Sequence, residues 1–111
     1  MKESIVKNKS FEFALRIVEL YKILQTQKEY VLSNQLLRSG TSIGADINEA
    51  LAGVSRADFG YKMSLASKES RETLYWLQLL NKSQLVKFDY QSYINDCEEL
   101  TALVKTTKTK N

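Results

Sequence analysis

From Phe11 onward, apolar residues recur along this chain at three- and four-residue intervals, the spacing that lines one face of an α-helix. The first run predicts a helix over 11–27, with Ser10 or Asn8 at its N-cap. On a wheel of about 100° per residue, Phe11, Phe13, Leu15, Ile17, Val18, Leu20, Tyr21, Ile23 and Leu24 cover more than half the circumference. Glu12, Arg16 and Glu19 leave only a narrow polar strip. A helix packed in a monomer needs an apolar stripe of about 100° or somewhat more, so this one carries a surplus. The second run predicts a helix over 30–54, with Leu32, Leu36, Ile43, Ile47, Leu51 and Val54 on one face and Arg38, Ser42 and Glu49 on the other.

Ser55 opens a third helix, 56–81, with Asp58 in the capping-box position. It bears two apolar stripes. Phe59, Met63, Ala66, Leu74, Leu77 and Leu80 make one, and Tyr61, Leu65, Tyr75, Trp76 and Leu79 make another nearly opposite. Asp89 caps a fourth helix, 89–105, whose single narrow face holds Tyr90, Tyr93, Ile94, Cys97, Leu100 and Val104. Residues 105–111, KTTKTKN, read as a frayed basic tail. Short connections favour antiparallel neighbours, so the expected fold is all-α, a single up-down-up-down four-helix bundle over residues 1–111. The second stripe of the third helix needs a partner outside the monomer. Tyr61, Leu65, Tyr75, Trp76 and Leu79 are therefore the expected homo-oligomer interface.

The stretch LRSGTSIGADINEA places Gly40 and Gly44 inside the second helix, because the apolar spacing runs through it unbroken. Each interior glycine costs about 1 kcal/mol relative to alanine, a cost that close helix approach can offset. A phosphate loop would need GxxxxGK[ST] after a strand, and this stretch has neither the lysine nor the strand. Folding the chain back at 54–55 pairs residue i of helix two with about 109 − i of helix three. That brings Gly40 level with Glu69, Gly44 with Leu65, and Arg38 near Arg71 and Glu72. Ser64, Ala66, Ser67 and Ser70 then face the small residues. Gly40, Gly44 and Ala45 are the predicted packing motif, and Arg38, Glu49, Glu69 and Glu72 the predicted inter-helix ion pairs.

Candidate chemistry is sparse. The chain has no histidine, which removes the commonest general base and the Glu-x-x-His ligands of di-metal bundles. Asp46, Glu49, Glu69 and Glu72 could converge on a hard cation only with several oxygens aimed at one point, and the nearby Lys62, Lys68, Arg38 and Arg71 make ion pairing the better reading. No metal, cofactor or catalytic residue is expected, and the protein is not expected to be an enzyme. Cys97, the only cysteine, lies on an apolar stripe and reads as a packed thiol. MKESIVKNKS lacks a secretory h-region and no apolar run reaches membrane-spanning length, so a cytoplasmic location without membrane association is the expectation. Net charge is only +3, yet both ends are basic. Lys2, Lys7, Lys9, Lys105, Lys108 and Lys110 are the candidate RNA or DNA contacts, against the alternative of merely solvated termini. Tyr61, Tyr75 and Trp76 with Lys62 and Lys68 make a weaker candidate stacking surface.

Two of these segments carry a family resemblance. Residues 35–50, QLLRSGTSIGADINEA, and 55–80, SRADFGYKMSLASKESRETLYWLQLL, resemble the four-helix-bundle family of 23S ribosomal RNA intervening sequences. KSFEFALRIVELYK and INDCEEL are similar as well, so the resemblance covers nearly the whole chain. One departure is Asp46, where the family usually has Asn. The resemblance implies a homopentamer, and kinship with the basic pentameric accessory protein of diversity-generating retroelements, which works with a reverse transcriptase and nucleic acid. In matching positions, Arg38, Gly44, Ala45, Glu49, Glu69 and Glu72 are read as structural. The expected function is a non-enzymatic, self-assembling scaffold associated with RNA, DNA or a nucleic-acid-processing protein. The alternative is a protein-docking module that touches no nucleic acid.

Overall fold

The computed structural model describes residues 2–110, with side chains for residues 3–108. Four α-helices follow one another: α1 (Lys2–Thr26), α2 (Val31–Leu51), α3 (Arg56–Ser83) and α4 (Gln91–Lys110). Each packs on its neighbours, α1 on α2, α2 on α3, α3 on α4 and α4 back on α1, while the diagonal pairs do not meet. That is the arrangement of an up-down bundle. The molecule measures 44 × 20 × 18 Å, and the 28 residues of α3 at about 1.5 Å each span its whole length.

The core runs along the axis through Ile17, Leu20, Leu24, Leu36, Ile43, Ile47, Met63, Leu77 and Leu80, all fully buried. Burying one such side chain is worth about 1.5–3 kcal/mol. α1 starts some nine residues before the expected 11–27 helix, because Val6 and Ser10 continue the buried stripe toward the N-terminus. Ser10 is therefore not a cap. Its hydroxyl donates back to the Lys7 carbonyl at 2.9 Å, inside the helix. α4 likewise runs to Lys110 rather than fraying at 105, since Val104 and Thr107 are fully buried and keep its last turns on the core. At the other seam α2 stops at Leu51, and Val54, expected on the core face, is 98% exposed.

Local chemistry explains the helix ends. Lys28 ends α1 in the left-handed region (φ 63°), with its N–H on the Gln25 carbonyl and the Glu29 N–H on the Leu24 carbonyl, a Schellman closure. The Glu29 carboxylate then accepts from the N–H groups of Val31, Leu32 and Ser33 at 3.1, 3.0 and 2.7 Å, satisfying the open first turn of α2. Tyr30, at the N-cap position, makes no side-chain cap bond. Ser55 caps α3 by accepting from the Asp58 N–H at 3.0 Å. Gln84 closes α3 at φ 48°, and its amide bonds the Asn81 and Phe88 carbonyls and the Phe88 N–H. Asp89 accepts from the Gln91 N–H at 3.1 Å as α4 begins.

Candidate functional site

The small-residue stretch divides its work between two helices. A Cβ added at Gly40 would lie 2.9 Å from both γ-carbons of Ile17, so α1 occupies the space that a side chain would need. Gly44 meets the Ser10 carbonyl and hydroxyl of α1, where an added Cβ would sit at 3.4 Å. Both glycines thus serve α1, whereas the sequence reading turned them toward α3. Register was sound and azimuth was not, because one residue along a helix is a rotation of about 100°. The side that meets α3 is Ser39. The Thr73 hydroxyl lies 2.9 Å from the Ser39 hydroxyl, and both residues are fully buried. Ala45, grouped with the glycines in sequence, is exposed.

Arg38 reaches across to α3, its guanidinium bonding Glu69 at 3.4 Å and Glu72 more closely. Glu72 also accepts from the Trp76 indole N–H at 3.1 Å. Arg38 stays half in solvent, so this network is worth no more than about 1 kcal/mol per pair. Glu49 is exposed and makes no ion pair among the described residues. Nearby, burial pushes the Asp46 carboxyl up from its usual range; Glu69 adds to this, Lys62 opposes it, and Glu49 adds again. A second clamp went unread in the sequence. Arg16 of α1 bonds Asp96 and the Ser92 hydroxyl of α4, and its guanidinium sits 4.0 Å over the Tyr93 ring. Antiparallel pairing of the first and last helices brings these residues level, and no local pattern around Arg16 or Asp96 announces it.

Unsatisfied apolar surface remains on two outward faces. On α3, Tyr61, Tyr75 and Leu79 are exposed and Leu65 and Trp76 half-buried, with the Tyr75 and Trp76 rings edge to face at 5.1 Å. On α1, Phe11 and Leu15 are exposed and Val18 is half-buried, positions that share one face at intervals of four and three. α1 and α3 stand diagonally, so the two faces lie on separate corners of the bundle, and both lean toward α2: Phe11 lines a groove with Asn48, and Trp76 shares Glu72 with Arg38.

The candidate nucleic-acid lysines meet at one end, while Lys22, Lys28, Lys82 and Lys87 are exposed toward the other. α1 and α4 are antiparallel neighbours, as the Lys9–Glu99 pair at 3.2 Å and the Arg16–Asp96 pair record. The start of α1 and the finish of α4 therefore meet, joined by the α2–α3 turn. Lys7, Lys105 and Lys108 are exposed there, and so is Arg56, which the sequence reading did not single out. Lys9 is engaged by Glu99, and the side chains of Lys2 and Lys110 lie outside the described ones. A cleft of about 420 Å³ opens at this end, lined by Lys7, Arg56, Leu51, Phe59 and Glu3 among others. Elsewhere, the Cys97 thiol is buried against the Ser70 carbonyl at 3.4 Å, and burial pushes its pKa up to about 12. Among the described residues, no three His, Cys, Asp or Glu side chains cluster as metal ligands, and no helix is long and apolar enough to cross a membrane.

The model of the 23S rRNA-intervening sequence protein family matches residues 2–106. The chain belongs to that family. The match takes in α1 through α3 and α4 as far as Thr106, so both apolar faces and the cleft lie within the family's own span. A crystal structure from Bacteroides thetaiotaomicron, described as a protein of unknown function from the S23 ribosomal protein family, is 50% identical. It superposes with a TM-score of 0.92 over 98% of this chain and 99% of that one. No curated protein matches the chain.

Proposed function

We propose that this protein is a non-catalytic scaffold that assembles with copies of itself and presents its basic ends to RNA or DNA. One observation carries the reading: two apolar faces, on α1 and α3, lie on diagonally opposed helices and are chemically different. Two unlike faces on separate helices favour head-to-tail contact, α1 of one copy on α3 of the next. Such heterologous contacts close into rings when the rotation per step permits. Five copies is the number the family resemblance suggests. A ring would set the basic end of every subunit on one rim and multiply a modest charge.

The assembly half is tested by breaking one face at a time. Leu15→Glu and Tyr75→Glu should each give monomers in light scattering, while Asn34→Glu, on the exposed side of α2, should not. An equimolar mixture of the first two retains one intact interface and should give a dimer. Monomeric wild-type protein at micromolar concentration sinks the scaffold reading. A wild type that assembles but binds no RNA or DNA in a salt-dependent way favours the protein-docking alternative.

A further inference from the structure

We propose that the cleft at the basic end holds one nucleotide unit of a single-stranded nucleic acid, its base on the Phe59 ring and its phosphate between Lys7 and Arg56; this rests on the reading of the basic end given above. The cleft's volume of about 420 Å³ falls in the range of about 300–1,000 Å³ usual for ligand sites. Leu51 and Phe59 give it an apolar patch, both half-buried and packed on the edge of the core. Phe59 is thereby held as a fixed aromatic platform. Every base has a π-face, so stacking on such a ring binds without demanding a sequence.

The walls carry the charge. Among the described residues Lys7 and Arg56 make no ion pair, and they come from two different helices, α1 and α3. Lysine supplies a point charge and arginine a planar fork, a combination suited to phosphate oxygens. Glu3 is the one carboxylate among the described lining residues, and the Asp58 carboxylate stands beside Gly53 at the edge, so the seat for a phosphate is the space between Lys7 and Arg56 themselves. Lys105 and Lys108 extend positive charge beyond the cleft along the same end. That continuation favours a strand over a free nucleotide, because a polymer can use charges on both sides of one seated base.

Fluorescence anisotropy with a labelled twelve-nucleotide single strand, across a salt series, tests the site. Phe59→Leu should weaken binding about tenfold while leaving the salt slope unchanged, and Phe59→Tyr, which keeps the ring, should bind like wild type. Lys7→Ala with Arg56→Ala should lower the slope by about 0.7, the value for the one phosphate that the pair neutralises. Melting curves check that the variants stay folded. If these variants bind like wild type while Lys105→Ala with Lys108→Ala loses affinity, the cleft assignment falls and the basic-end reading stands. If the wild type shows no salt-sensitive binding, both fall. Equal affinity for a nucleoside monophosphate and the strand would also overturn the assignment, since the flanking lysines would then contribute nothing.

Discussion

The two sides of α2 meet their neighbours by opposite means, within six residues of chain. Toward α1 the helix sheds side chains altogether, and Gly40 lets Ile17 fill the space. Toward α3 it keeps them and pairs hydroxyls, Ser39 with Thr73. The first seam tolerates no added atom at Gly40, whereas the second tolerates no lost hydrogen bond. Small residues in one stretch can therefore answer two different physical demands, and composition alone does not separate them.

Substitutions on each side sharpen this contrast. The largest effect should come from Gly40→Ala, whose new carbon would press on Ile17; overpacking of this kind costs about 1–3 kcal/mol. The loss should appear as a lower Tm and be partly recovered by adding Ile17→Val, a non-additivity diagnostic of direct contact. Thr73→Val comes next, at about 1 kcal/mol in urea unfolding, because it leaves the buried Ser39 hydroxyl only a long 3.5 Å contact with the Leu36 carbonyl. Pairing it with Ser39→Ala should cost less than the sum of the two single changes. Gly44→Ala breaks the symmetry between the glycines. Its Cβ would make ordinary contact at 3.4 Å, so the helix gains up to about 1 kcal/mol of propensity and Tm should hold or rise.

The smallest effect lies at the α3-facing edge. The Asp46 carboxyl has a folded pKa raised above its unfolded value, so the folded state holds this proton more tightly than the unfolded chain does. Its contribution is greatest below the unfolded value of 3.8 and is lost as pH rises through the folded one. Asp46→Asn should accordingly raise Tm slightly at pH 7, with the advantage shrinking as pH falls. An unchanged difference at every pH would show that burial and Glu69 do not act on this carboxyl.

Much of the architecture was legible because α2 and α3 carry their apolar stripes without interruption and Ser55 announces its cap. The outer turns of α1 and α4 were hidden. Among the described residues before Phe11 and after Lys105, Val6, Ser10 and Thr107 alone are buried on the core, amid lysines, serines and threonines that read as tail. The Schellman closure at Lys28 was equally hidden, since a lysine occupies the place where glycine is usual. At the site, the apolar surplus on α1 and α3 could be read from periodicity. The Arg16–Asp96 clamp and the convergence of Lys7 with Arg56 could not, because they depend on which distant segments the closed bundle brings level.

Cys97 gives the α3–α4 seam a chemical clock. It is the sole sulfhydryl in the chain, lodged against the Ser70 carbonyl and held protonated by a pKa of about 12, so a disulfide reagent at pH 8 can react only when α4 swings away from α3. Its labelling half-life therefore times that departure, and a half-life shortened by Thr73→Val but unaffected by Gly44→Ala would locate the loosening on the α3 side.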